Sequence, residues 1–266
     1  MKENETADLV THLTELRARL LRILLYLVLG LAVAWVAFPW VFQALILPVK
    51  AVLKGHQGKL QYLDMQEPFW VRWQVSFYLG MILALPFALW EIWRFVAPGL
   101  TRNERRAVGP IVPVSGLLFL CGVALGYWIT PPMLQWFASL GQPGVDIQVA
   151  VQRQTVFLAK FYLAFGLSFQ LPLVVAALAR AGIVKTQTLL HRWREATFLI
   201  FLAAAIITPS WDPFSMFACA LPMVILYLTM IGFLWRGEKR RQKAALAAQQ
   251  AEAELNPPEP GGGLHS

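Results

Sequence analysis

Apolar residues fill six blocks along the chain, and short polar segments separate the blocks. A helix needs about 20 apolar residues to cross the hydrocarbon core of a bilayer. A helix also satisfies its own backbone hydrogen bonds within lipid, which an isolated strand cannot do. The pattern therefore predicts an all-α integral membrane bundle of six transmembrane helices, over residues 20–42, 71–93, 107–130, 155–180, 195–209 and 213–235.

Prolines interrupt several of these blocks. Proline has no backbone N–H, so it removes one hydrogen bond from a helix and favours a kink. Neighbouring helices are expected to cover the carbonyls that are freed. The prolines in question are Pro86, Pro110, Pro113, Pro172 and Pro222.

The fifth block is short for a membrane span. From Ala196 to Thr208 a helix reaches about 20 Å, whereas the hydrocarbon core is about 30 Å thick. Pro209 and Pro213 bracket a tight turn that leads into the sixth block. We expect this hairpin to tilt, to thin the bilayer locally or to be shielded by partners. A start at Trp193 is the alternative, and it also gives a short helix.

Composition supports lipid as the solvent of this chain. Hydrophobic residues make up 58% of the 266 residues and charged residues 14%, with a mean hydropathy of +0.55. Soluble domains carry about a quarter charged residues. The polar surface predicted here is too small to cover a water-soluble globule.

The net charge of +8 does not predict nucleic acid as a partner, because the basic residues cluster in short segments between the apolar blocks. Their positions instead indicate how the chain is oriented in the membrane. Most of the 23 Lys and Arg residues lie near the two termini and in the second and fourth connecting segments. Basic residues accumulate on the cytoplasmic side of a membrane. Both termini are therefore expected to be cytoplasmic.

Two regions differ in composition. Residues 1–236 form the predicted six-helix membrane domain, which begins with an interfacial N-terminal helix. Residues 237–266 change to an Ala/Gln/Glu stretch and then to a Pro- and Gly-rich end. This cytoplasmic tail is predicted to contain a short helical extension and to be largely disordered beyond it.

Glu15 and Glu104 have structural explanations from spacing alone. Glu15 precedes Arg19 by four residues, the favourable order for an ion pair on one helix. Thr101 and Glu104 match a capping box at the start of the third predicted span. Neither spacing by itself indicates binding.

Other polar residues also have local explanations. Pro48 and the turn around residues 55–58 predict a partly structured first outer loop. Gln170 lies near the middle of the fourth span, where an amide is expected to bond across helices or to freed backbone. Lys160 is expected to extend toward the outer surface, and Asp212 to cap a helix.

An enzymatic function is not indicated. All four histidines fall outside the spans, and no metal-ligand or phosphate-binding motif is present. No cofactor or metal is therefore expected. Two alternatives remain: a solute or ion carrier that uses Gln170 and Lys160, and a membrane-embedded hydrolase that uses Ser168, which would need a nearby base. The absence of internal repeats counts against the carrier.

Several motifs follow one another along the chain. The first is His12-Leu-Thr-Glu15-Leu-Arg17-Ala-Arg19-Leu, and the second, after the second span, is Phe95-Val-Ala-Pro98-Gly-Leu followed by Glu104-Arg-Arg. Further motifs are Pro48 in the first outer loop, Glu67-Pro-Phe69, and Thr208-Pro209 followed by Asp212. In residues and in order, this set resembles the TatC family, the large subunit of the twin-arginine (Tat) protein translocase. The resemblance covers residues 8–235.

The resemblance implies a Sec-independent translocase subunit of the cytoplasmic (inner) membrane. Such a subunit is a receptor that binds the twin-arginine signal peptides of folded proteins at the cytoplasmic face. It works with the single-span partners TatA and TatB, self-associates in a multisubunit complex and uses the proton-motive force. The residues implied in signal-peptide binding are Glu15, Glu104, Arg17, Arg19, Phe95 and Arg105.

Structural or partner-contact roles are implied for a second set of residues. These are Pro48, Glu67, Gln170, Thr208, Asp212 and Ser215. The chain departs from the family twice: Gln170 stands where a glutamate is common, and Ser215-Met216 stands where a polar contact is common. An amide cannot carry a charge, so a protonation role at position 170 does not follow from the resemblance.

Overall fold

The computed structural model describes residues 2–55, 58–96, 111–142, 145–180, 182, 184, 186–208 and 212–255. Within these residues the chain is nearly all helical. The helices are α1 (Lys2–Gly55), α2 (Glu67–Val96), α3 (Ile111–Ser139), α4 (Val151–Ser168), α5 (Gln170–Arg180), α6 (Thr186–His191), α7 (Trp193–Ile207) and α8 (Pro213–Leu255). Two short strands, β1 (Lys59–Gln61) and β2 (Gln148–Ala150), complete the described elements.

Five helical segments of the described chain are long and apolar enough to cross a membrane. They are Leu13–Gly55, Glu67–Phe95, Pro113–Ser139, Val151–Arg180 and Pro213–Gly237. The predicted fifth span corresponds to α7, which has 15 residues and is about 22 Å long. Its shortness agrees with the sequence prediction. That α7 crosses the membrane as the fifth of six spans stays a prediction.

The first helix is much longer than its predicted span. It continues through Pro39 and Pro48 to Gly55, so the prediction that places Pro48 in a loop is wrong. Leu45, Val49 and Leu53 recur every four residues and are buried in the core. This apolar face keeps the segment helical, because packing outweighs the proline penalty.

Arg72 on α2 compensates for the proline at position 39. In a regular helix the N–H of residue 39 would bond the carbonyl of Trp35, and proline cannot supply that N–H. The Nη2 atom of Arg72 donates to the Trp35 carbonyl at 3.2 Å, and its guanidinium lies 4.5 Å from the Trp35 ring centroid. A neighbouring helix thus covers the freed carbonyl.

The predicted fourth span is divided into α4 and α5 at Phe169. Pro172 has no N–H to donate to the carbonyl of Ser168, which accounts for a break at this point. This break lies next to one of the prolines at which the sequence predicts a kink. Pro86 and Pro222 lie inside α2 and α8, whereas Pro110 lies outside the described residues.

Close backbone approach joins α1 to α2 and α3 to α4. A Cβ atom built on Gly30 would lie 2.6 Å from the carbonyl oxygen of Gly80, and one on Gly122 would lie 2.8 Å from that of Phe165. Such contacts between small residues are how membrane helices pack without a hydrophobic driving force. The largest fully buried side chains among the described residues are Phe119, Phe161 and Phe165.

The strands link two connections that are far apart in sequence. β1 pairs with β2 in parallel, with Leu60 opposite Val149. The first connecting loop is thus partly structured, as predicted. At the other end of the chain, α8 continues beyond Gly237 to Leu255, which is the helical extension that composition predicts.

Candidate functional site

An ion pair forms on α1 at the end of the bundle where α1 begins and α2 ends. We refer to this end as the Glu15 end. The Nε atom of Arg19 donates to Oε1 of Glu15 at 3.1 Å, and Nη2 donates to the same oxygen. The helical ion pair predicted from the spacing of these residues is confirmed.

The same guanidinium also reaches α2. The Nη1 atom of Arg19 lies 3.3 Å from Oε2 of Glu91 and 3.3 Å from its carbonyl oxygen. The Nη1 atom of Arg22 lies 3.4 Å from the same carboxylate oxygen. Glu15, Arg19, Arg22 and Glu91 form one group, which we call the charge cluster.

The members of the charge cluster differ in solvent access. The side chain of Glu91 is 4% exposed and that of Arg19 is 11% exposed, whereas Glu15 is 39% and Arg22 51% exposed. Buried charges require partners, and Glu91 has two arginines. Glu15 is the carboxylate of the cluster that an incoming cation can reach.

The other predicted binding residues are not all described. Phe95 follows Glu91 by one helical turn and is half-buried, and Arg17 is exposed on α1. Glu104 and Arg105 lie outside the described residues. The structure therefore brings Glu15 and Arg19 together and adds Glu91.

Glu91 was not among the binding residues expected from the sequence. Its contacts join positions 69 and 72 residues apart, which no local spacing can predict. The available signal is a carboxylate within an apolar block, because such a group is normally paired.

At the opposite end of the bundle, Glu67 is bound by backbone amides. We refer to this as the Glu67 end. Its carboxylate accepts from the amides of Leu63, Asp64 and Gln152, with the last at 2.7 Å. Gln152 lies in the first turn of α4, where a negative charge is favourable. Burial raises the pKa of Tyr62 above its ordinary value, and the charge of Glu67 adds to the shift.

Gln170 and Asp212 have the local roles expected of them. The Gln170 amide donates across to the carbonyl of Ser115 on α3 at 3.2 Å. The Oδ1 atom of Asp212 accepts from the amide of Ser215 at 2.7 Å and so caps α8. Thr208 and Ser215 are fully buried at the two ends of this turn, and Pro48 is buried within α1.

The residues of the two alternative functions are held in different surroundings. Lys160 lines a cavity of about 440 Å³ at the Glu67 end, next to Gln74 and Arg153, whereas Gln170 does not line that cavity. The Ser168 hydroxyl donates to the carbonyl of Ala164 at 2.8 Å and accepts from the thiol of Cys219 at 3.4 Å. In the described part of the chain, no group of His, Cys, Asp and Glu could hold a metal.

Long apolar helices with ion-paired and hydrogen-bonded carboxylates at their ends define a multi-pass membrane protein. Comparison with known proteins makes this class more specific. The family model described as "Sec-independent protein translocase protein (TatC)" matches residues 11–222. The chain belongs to the TatC family, and it is a protein translocase component rather than an enzyme.

Individual relatives agree with the family model. The TatC of Magnetococcus marinus is 32% identical over 93% of this chain and 91% of its own length. The TatC of Xylanimonas cellulosilytica is 35% identical over 89% and 87%, respectively. A crystal structure of the twin-arginine translocase receptor TatC in DDM is 30% identical, covers 84% of this chain and 98% of its own, and has a TM-score of 0.71.

Proposed function

We propose that this chain is a receptor that binds twin-arginine signal peptides of folded proteins at the cytoplasmic face. The Glu15 end of the bundle faces the cytoplasm in this proposal. Glu15 and Glu104 accept the two arginine side chains, and Arg17, Arg19, Phe95 and Arg105 surround them. The similar crystal structure is of a protein described as a receptor, which supports this reading.

The observation that carries the proposal is the way in which Glu15 binds Arg19. A half-exposed carboxylate already accepts two N–H groups from one edge of a guanidinium. An arginine of a signal peptide presents the same planar edge, whereas a lysine presents a point charge. Two such acceptors distinguish paired arginines from paired lysines by geometry.

Electrostatics limits how strong each contact is. At an effective dielectric constant near 20, two unit charges 4 Å apart attract by about 4 kcal/mol before desolvation is subtracted. The surrounding arginines reduce the attraction, so the carboxylates must be close to the bound guanidinium. The apolar part of the signal then lies along the transmembrane helices.

The membrane arrangement is part of the proposal. The bundle has six spans in the cytoplasmic (inner) membrane, with α7 as the short fifth span and both termini in the cytoplasm. Residues 237–266 form a cytoplasmic tail outside the membrane domain of residues 1–236.

The partners are TatA, TatB and further copies of this chain, and the proton-motive force drives transport. A translocase subunit acts in a complex, and α7 is too short to cross about 30 Å of hydrocarbon without accommodation. The hairpin between α7 and α8 is therefore the proposed partner surface, and Thr208 and Ser215, which are buried, would support it from inside together with the Asp212 cap.

Site-specific cross-linking tests the receptor proposal. A twin-arginine signal peptide with a photoreactive residue beside its arginines is bound to membranes that contain the parent chain, Glu15→Lys or Glu104→Lys. We expect both reversals to reduce cross-linking and export strongly. Glu195→Lys is the matched control, because Glu195 forms an exposed pair with Arg192 away from the cluster. Undiminished cross-linking and export in both reversals would refute the proposal.

A further inference from the structure

Arg19 occupies the acceptor that the proposed function assigns to the signal peptide. Its Nε and Nη2 atoms both donate to Glu15. The side chain of Arg19 is 11% exposed, so it is held in place and is not free in solvent. A guanidinium belonging to the chain itself thus sits on Glu15 when no peptide is bound.

Glu91 offers the same guanidinium a second acceptor. Its Oε2 atom lies 3.3 Å from Nη1 of Arg19, and its side chain is almost fully buried. A peptide arginine can reach the half-exposed Glu15, but it cannot reach Glu91 without displacing both Arg19 and Arg22. The two carboxylates are therefore unequal: one is accessible and the other is reserved for the chain's own arginines.

We infer that Arg19 is a tethered competitor for the signal-peptide site and that Glu91 is the positioning residue that receives it. When a signal arginine binds Glu15, Arg19 releases Glu15 and keeps its contacts with Glu91. The exchange replaces one guanidinium by another on Glu15, so no charge is left unpaired. This inference rests on the proposed function and adds a specificity device to it.

Such a device would raise selectivity. A ligand gains from Glu15 only if it binds that carboxylate better than the resident guanidinium does, and a lysine lacks the planar double donor. Discrimination between ligands often depends on a competing contact as well as on an attractive one. Removing Arg19 is therefore expected to increase affinity and to reduce the preference for arginine over lysine.

Substitutions at Arg19 and Glu91 are expected to act in opposite directions. In Arg19→Gln the competitor is lost, and a twin-arginine peptide should bind about two- to fivefold more tightly, as expected for removal of a partly exposed ion pair. In Glu91→Gln the second acceptor is neutral, Arg19 stays on Glu15, and binding should weaken about two- to fivefold. The double variant should bind at least as well as the parent chain.

Arg22→Gln is the matched control. Arg22 carries the same charge, and its Nη1 atom contacts the Glu91 carboxylate, whereas Arg19 contacts both Glu91 and Glu15. If simple charge repulsion explained tighter binding, Arg22→Gln would tighten binding as much as Arg19→Gln. If Arg19 competes by occupying Glu15, only Arg19→Gln should tighten peptide binding.

The experiment measures binding of synthetic signal peptides, with paired arginines or paired lysines, to the full chain in nanodiscs. Thermal unfolding of each variant identifies any that fail to fold, and the Arg19→Gln/Glu91→Gln double variant tests the same exchange without a buried unpaired charge. Equal affinities for parent, Arg19→Gln and the double variant would overturn the inference, as would equal tightening by Arg22→Gln.

A reference variant separates the two proposals. Glu15→Gln should weaken binding of the twin-arginine peptide whatever Arg19 does. If Glu15→Gln binds as the parent chain does, the proposed function fails. If Glu15→Gln weakens binding while Arg19→Gln changes nothing, the proposed function stands and the competitor inference fails.

Discussion

Glutamates at the two ends of the bundle are held by different kinds of donor. At the Glu67 end the carboxylate is bound by three backbone amides, two from the segment before α2 and one from the first turn of α4. At the Glu15 end the carboxylates are bound by arginine side chains. Backbone amides can leave only if the local fold opens, whereas side chains can exchange partners through rotamer changes. The comparison indicates that Glu67 stabilises the fold at one end, whereas Glu15 can exchange partners at the other.

The largest stability effect is expected at the Glu67 end. Glu67→Ala leaves three amides without their acceptor and removes a negative charge that lies beside the first turn of α4, so the free energy of unfolding should fall by about 3 kcal/mol. Thermal unfolding in detergent, followed by tryptophan fluorescence, measures the change. Asp64→Ala is the control, because Asp64 is exposed beside Glu67. Equal stability of Glu67→Ala and the control would remove the distinction between the ends.

An intermediate effect is expected at Arg72, an arginine that is bound to backbone instead of carboxylate. Arg72→Met loses one hydrogen bond and a cation–π contact, which together should lower the free energy of unfolding by about 1–2 kcal/mol. Arg153→Met, an exposed arginine, is the control in the same unfolding assay. In a Pro39→Ala background the helix can bond the Trp35 carbonyl itself, so the effect of Arg72→Met should shrink. An unchanged effect there would contradict the assigned role.

The smallest stability effect is expected for Glu15. Glu15→Gln should lower the free energy of unfolding by no more than about 0.5 kcal/mol, the contribution of an ion pair one turn apart on a helix. Glu195→Gln is the matched control, because its pair with Arg192 is also local and exposed. If Glu15→Gln lowered the free energy of unfolding as much as Glu67→Ala does, the Glu15 carboxylate would also have a structural role.

Sequence patterns predict most of the helical architecture because lipid imposes length and periodicity on each span. They also predict local contacts, such as the Glu15–Arg19 pair and the cap by Asp212. They place the first loop too early, because proline marks possible breaks and tertiary packing decides between them. The burial of Leu45, Val49 and Leu53 is not visible from Pro48 alone.

Contacts between distant segments were the part that the sequence could not supply. The pairing of β1 with β2 and the contact of Arg19 with Glu91 each join segments more than 70 residues apart. A carboxylate within an apolar block indicates that a partner exists. Which residue is the partner depends on how α1 and α2 pack. Close approach at Gly30 and Gly80 fixes that packing.

A double-mutant cycle between the chain and the signal peptide tests the central claim most directly. Binding is measured for the parent chain and Glu15→Gln, each with a peptide that carries its two arginines and with one in which either arginine is replaced by glutamine. Direct contact predicts a coupling energy of about 1.5 kcal/mol or more for one of the arginines. Coupling energies near zero for both arginines would contradict the account.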